Sequence, residues 1–160
     1  MRQIRSSVFE TNSSSTHSVA LRGGKNYCYV PTYTLRVSLG EYGWEQARYS
    51  GIEEKLSYIY TMMQYYMGYE EKWDWGERDF ALLENSKWSK WIKEMVLEHC
   101  GQEILLTSNN DAYYPLGYID HQSTDTLCDF WSEDEDEFKA NMKDLIFNER
   151  YIIITDNDNH

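Results

Sequence analysis

This chain lacks the cysteine pattern of a disulfide framework. Cys28, Cys100 and Cys128 are odd in number, far apart and in no C-x-x-C pair, so they indicate neither a stapled secreted scaffold nor a zinc knuckle, and reduced thiols are expected. Also missing is any apolar run approaching the roughly 18 residues that a membrane span requires. The opening MRQIRSS has no apolar signal core, so a soluble, cytoplasmic protein without membrane contact is expected. Positive charge is scarce as well: 15 Lys and Arg face 27 Asp and Glu, a formal charge of −12. The deficit is uneven, because residues 1–50 carry 6 basic against 3 acidic side chains, whereas residues 101–160 carry 3 against 14. A surface so short of cations disfavours direct nucleic-acid binding and favours a partner with a basic surface.

What the chain does contain is aromatic. Tyr, Trp and Phe make up 16% of it, with 14 Tyr and 6 Trp, enough to build a core despite a mean hydropathy of −0.71. Its 160 residues fit one domain spanning 1–160, with no internal repeat and no linker dividing it.

Apolar spacing predicts about three helices. Ile52, Leu56, Ile59, Tyr60, Met63 and Met67 recur every three or four residues, which marks a helix closed by Gly68. A second helix is expected from about Ser86 to Cys100, with Trp88, Trp91, Ile92, Met95 and Val96 on its core stripe and Gly101 as its C-terminal cap. A third follows Ser132 and Glu135, read as a capping box, and buries Phe138, Met142, Leu145 and Ile146. Strands are expected at the hairpin flanking Thr11 to Thr16, at Tyr27 to Val30, Tyr33 to Leu39, Ile104 to Thr107 and Tyr118 to Ile119. Arg150 to Thr155, nearly continuous in apolar character, reads as a central strand covered on both faces. The alternation predicts an α+β domain with a mixed, mostly antiparallel sheet.

Three polar clusters sit at predicted strand ends: Glu10 to Ser18, Asp120 to Ser123, and TDNDNH from Thr155. Glu10, His17, Asp120 and His121, with Asp156 or Asp158, are the candidate catalytic or metal-ligating groups, since imidazoles and carboxylates bind divalent ions and move protons near neutral pH. Asn12, Ser13, Ser14, Ser15, Thr16 and Ser123 are candidate ligand-binding residues. Such a row of hydroxyls and amides suits an anion or nucleotide, aided by Arg2, Arg5 or Arg22. No H-e-x-x-H pattern, G-x-S-x-G elbow or calcium-loop spacing is present, so no metal or cofactor is specified. The acidic run Asp134, Glu135, Asp136 and Glu137, together with Trp73 and Trp75, is the candidate partner-binding surface, because large aromatic side chains dominate interface hot spots.

The blocks VFETNSSSTHS (8–18), GEYGWE (40–45), GYIDHQS (117–123) and FNERYIIITDNDN (147–159) span most of the chain in order. With them the chain resembles a group of small uncharacterised proteins encoded by bacteriophages and related mobile elements. The resemblance implies a setting, the infected bacterial cell, and assigns no residue a role. Charge and setting together lead to the expectation of a phage-type accessory protein. It would bind and inhibit a host nucleic-acid-handling or defence complex, in the manner of an anti-CRISPR factor. The alternative is a small enzyme or nucleotide- or metal-binding protein, of the metal-assisted hydrolase type, built on the three polar clusters.

Overall fold

The helical spacing of Ile52, Leu56, Ile59 and Met63 gives the molecule its central element. The computed structural model describes residues 19–20, 34–43, 47–70, 80–109, 116–119 and 130–155, without the side chains of 19–20 and 66–70. In it, helix α1 (Ile52–Glu70) buries not only that stripe but Tyr58, Tyr60 and Met62 as well. A helix is buried on several faces only when other elements surround it. Here strand β2 (Leu35–Ser38), helix α2 (Phe80–Asn85), strand β6 (Tyr118–Ile119) and helix α4 (Glu135–Phe147) all pack against it. The helix passes Gly68 and ends at Glu70, so that glycine does not close it. Helix α3 (Lys87–Cys100) runs as its spacing predicts, and Ser86 Oγ accepts from the Ser89 N–H to cap its start. Gly101, at φ +70°, ends it by donating its N–H to Leu97 O. The short helix α2 brings the described helices to four, one more than the apolar spacing shows.

The fold is α+β. Strand β7 (Ile153–Thr155) lies between β1 (Val19–Ala20) and β4 (Ala47–Tyr49), antiparallel to both, so the apolar run near the C-terminus does become a central strand. Its faces differ, since Ile153 and Thr155 are buried while Ile154 is half-buried. β2 pairs in parallel with β5 (Ile104–Thr107), from Leu35 opposite Ile104 to Ser38 opposite Thr107. β3 (Glu41–Tyr42) pairs in parallel with β6. Alternation in β2 works as expected, with Leu35 and Val37 buried and Arg36 and Ser38 exposed.

Two local features fix how α1 meets the strands. Glu53, Ser57 and Thr61, four residues apart along α1, bond the backbone of residues 36, 38 and 40, two apart along the strand. The Arg36 N–H donates to Glu53 Oε1 (3.1 Å), Ser57 Oγ donates to Ser38 O, and the Gly40 N–H donates to Thr61 Oγ1 (3.0 Å). The match is geometric: four helical residues rise about 6 Å and two strand residues about 6.6 Å. Gly117, at φ +77°, closes the other side. A Cβ there would stand 2.9 Å from Thr61 Cγ2 and 3.0 Å from Gly40 O, so only glycine lets the chain enter β6.

The start of the chain lies largely outside the described residues. Of its expected hairpin only Val19–Ala20 is described, and the expected strand from Tyr27 to Val30 is not.

Candidate functional site

Among the sequence-predicted site residues, the described ones are Asp134, Glu135, Asp136 and Glu137, at the start of α4. Asp134, not Ser132, is the cap. Its extended backbone (φ −79°, ψ 128°) precedes the helix, and its carboxylate accepts from the Glu137 N–H at 2.9 Å. Ser132 instead accepts from the Asp134 N–H (3.1 Å) and donates to Glu137 Oε2 (2.7 Å). The cap expected at Ser132 is therefore displaced by two residues, and the reciprocal bond of a box is replaced by the bonds through Ser132. An aspartate caps as well as a serine, and from Ser132 a hydroxyl still reaches Glu137. Carboxylates in this first turn face the positive end of the helix dipole, which explains their tolerance of one another.

The acidic surface is partly neutralised from neighbouring elements. Glu133 is ion-paired with Lys87 at the start of α3, and Lys139 bridges Glu135 (2.6 Å) and Glu94 (2.8 Å). Those two carboxylates, Glu135 first, hold the Lys139 ammonium well above its ordinary pKa. Five consecutive side chains, Glu133 to Glu137, are nevertheless exposed, and Asp136 has no ion-pair partner among the described residues. With Glu94, six carboxylates meet two ammonium groups, so the face keeps a surplus of negative charge.

Aromatic side chains flank this surface among the described residues. Trp73 and Trp75 lie outside the described residues. Trp131, one residue before Ser132, packs on Trp88 (centroids 5.0 Å apart) and edge-on to Phe138 (5.2 Å, planes at 82°), while Trp91 meets Phe138 at 5.7 Å. Lys87 Nζ lies over both α3 indoles, 4.7 Å from the ring centre of Trp88 and 5.4 Å from that of Trp91. The available signal was the placement of Trp131 directly before the acidic run. Trp88 and Trp91, read as core stripe, are only half-buried.

Glu10, Asn12, Ser13, Ser14, Ser15, Thr16, His17, Asp120, His121, Ser123, Asp156 and Asp158 all lie outside the described residues. The strands next to them in sequence are described. Val19 pairs with Ile154, and Ala47 with Thr155, so β1 begins where β7 ends and β4 begins. Ile119, the last residue of β6, pairs with Tyr42, the last of β3. Among the described residues no group of three or more His, Cys, Asp and Glu side chains is placed to hold a metal ion. His99 sits near the end of α3 with its ring 4.3 Å from that of Phe147; burial, then the charge of Lys143, lowers its pKa below 6.5. No described helix is long and apolar enough to cross a membrane.

The chain matches no protein-family model, and no curated protein or solved structure matches it.

Proposed function

We propose that this protein acts by binding another protein through the acidic, tryptophan-flanked surface at the start of α4. The partner presents a basic groove and belongs to a host complex that handles nucleic acid or defends the bacterial cell, so that the chain acts as an anti-CRISPR-like phage accessory factor in the host cytoplasm. The observation that carries this reading is the exposed row Glu133 to Glu137, anchored on a capped helix start with Trp131 behind it. Carboxylates fixed in place complement a cationic groove better than mobile ones, because little side-chain entropy is lost on docking. The resemblance to phage-encoded proteins supplies the setting.

The test uses host lysate proteins retained on immobilised DNA. Excess protein is expected to elute a host nucleic-acid-binding component, and a variant carrying Asp134→Asn with Asp136→Lys is expected to lose that ability. Asparagine keeps the cap, so the helix start survives the change. Equal elution by the variant, or none by the wild type, would sink the reading.

A second reading, a small hydrolase or a nucleotide- or metal-binding protein, draws support from the strand ends. β1 enters and β7 leaves at one end of their sheet, and the polar segments that adjoin them in sequence carry His17, Asp156 and Asp158. Combining His17→Ala with His121→Ala is expected to leave elution intact if the protein is a binder, and to remove activity if it is an enzyme.

A further inference from the structure

The tryptophans at the start of α3 already hold a cation. Trp88 and Trp91 are three residues apart, so both indoles leave the same side of the helix. Lys87 lays its ammonium over both rings, within the roughly 6 Å at which a cation feels an indole face. The same ammonium is ion-paired with Glu133, across from α3. Two half-buried indoles and one carboxylate thus form a niche for a positive group, backed by the contact of Trp131 with Trp88 and Phe138.

Lysine is the poorer occupant of such a niche. Its ammonium is a compact, strongly hydrated charge, whereas a guanidinium is planar, stacks on an indole and forks onto a carboxylate with two parallel hydrogen bonds. The Lys87 side chain remains 46% exposed and that of Glu133 72%, so the internal pair stays in contact with water and separates readily. Asp136, three residues on from Glu133 in the same exposed acidic run, has no ion-pair partner among the described residues, so its negative charge complements a further basic side chain of an incoming segment.

We infer that Trp88, Trp91 and Glu133 form the seat for an arginine side chain of a basic partner segment, and that Lys87 is the internal cation this arginine displaces. The inference rests on the protein-binding reading above and names the side chain that the surface takes. It also assigns Lys87 a role opposite to that of an ordinary interface cation: it competes with the partner.

The experiment is calorimetric titration of the full chain with two peptides of equal length and charge, one of alternating arginine and glycine, the other of alternating lysine and glycine, in about 0.15 M salt. Wild-type protein is expected to favour the arginine peptide by roughly tenfold. Lys87→Met and, separately, Lys87→Gln are expected to tighten arginine-peptide binding by roughly threefold or more, since the competitor is gone. Adding Trp88→Leu to Lys87→Met is expected to erase the preference for arginine, with circular dichroism confirming that the variant is folded. Equal affinity for the two peptides, or no tightening in either Lys87 variant, overturns the arginine seat. The binding reading then still stands if Asp134→Asn with Asp136→Lys weakens both peptides alike. Absence of binding to either peptide overturns the seat and counts against the basic partner as well.

Discussion

Lys55 shows how little a residue's type says about its place. It is 0% exposed, on α1 between the buried Ile52 and Leu56. Its ammonium donates to Asn148 O at 3.0 Å and to Ile146 O at 3.4 Å, where α4 ends. A helix C-terminus leaves carbonyls without intrahelical donors and carries partial negative charge, so a buried lysine there is both solvated and electrostatically favoured. Replacing it by a residue of similar length without the charge takes this donor from both carbonyls, and Asn148 O keeps the Tyr151 N–H. Lys55→Met is expected to lower unfolding free energy by about 1–3 kcal/mol, read as a lower urea midpoint. An unchanged midpoint would mean that water replaces the ammonium. Nothing near Lys55 in sequence announces this, because its partners are 91 and 93 residues away. By contrast the Gly101 cap was legible, since a helix stop followed by a left-handed residue is a local event.

At the scale of elements, α1 does two jobs with different faces. Its apolar face fills the core, as the spacing of its hydrophobic residues predicts. Its polar row, Glu53, Ser57 and Thr61, bonds the strand backbone at residues 36, 38 and 40 on the edge of β2 that faces away from β5. Unpaired strand edges invite pairing with other chains, and this row occupies one. Ser57 is also tied to Tyr42, whose hydroxyl donates to it at 2.6 Å and whose pKa burial raises. Ser57→Ala with Thr61→Val removes two of the three edge bonds and leaves the Tyr42 hydroxyl without its acceptor. The pair is expected to cost about 2–3 kcal/mol of stability. Concentration-dependent association on size exclusion is expected alongside; a destabilised variant that stays monomeric would show that the edge is guarded by something else. The helix itself could be read from periodicity. Its second job could not, because a row of Glu, Ser and Thr every fourth residue looks the same whether it faces water or a strand.

For the whole molecule, charge is the dominant long-range quantity. With a formal charge of −12, repulsion works against the folded state, and the ion pairs of Lys87, Lys93 and Lys139 offset it only locally. Raising salt from about 0.02 M to about 0.2 M shortens the screening length from roughly 20 Å to below 10 Å. The melting temperature is therefore expected to rise by about 2–5 °C in a thermal scan. A fall would mean that the screened ion pairs outweigh the repulsion. Binding of a basic partner should run the other way with salt, which separates folding from recognition in the same buffers.

The sequence by itself determined the α+β class, three of the four described helices, the alternation of β2, the position of β5 and the central place of β7, because each follows from short-range spacing or from a continuous apolar run. Tertiary structure alone decided that two lysines draw charge from the acidic run, that Trp88 and Trp131 stand together beside it, and that β1 meets β7. The physical reason is reach. Periodicity and capping act over a few residues, whereas ion pairs, ring contacts and strand registers join positions tens of residues apart, and any of many such pairings satisfies the same local pattern.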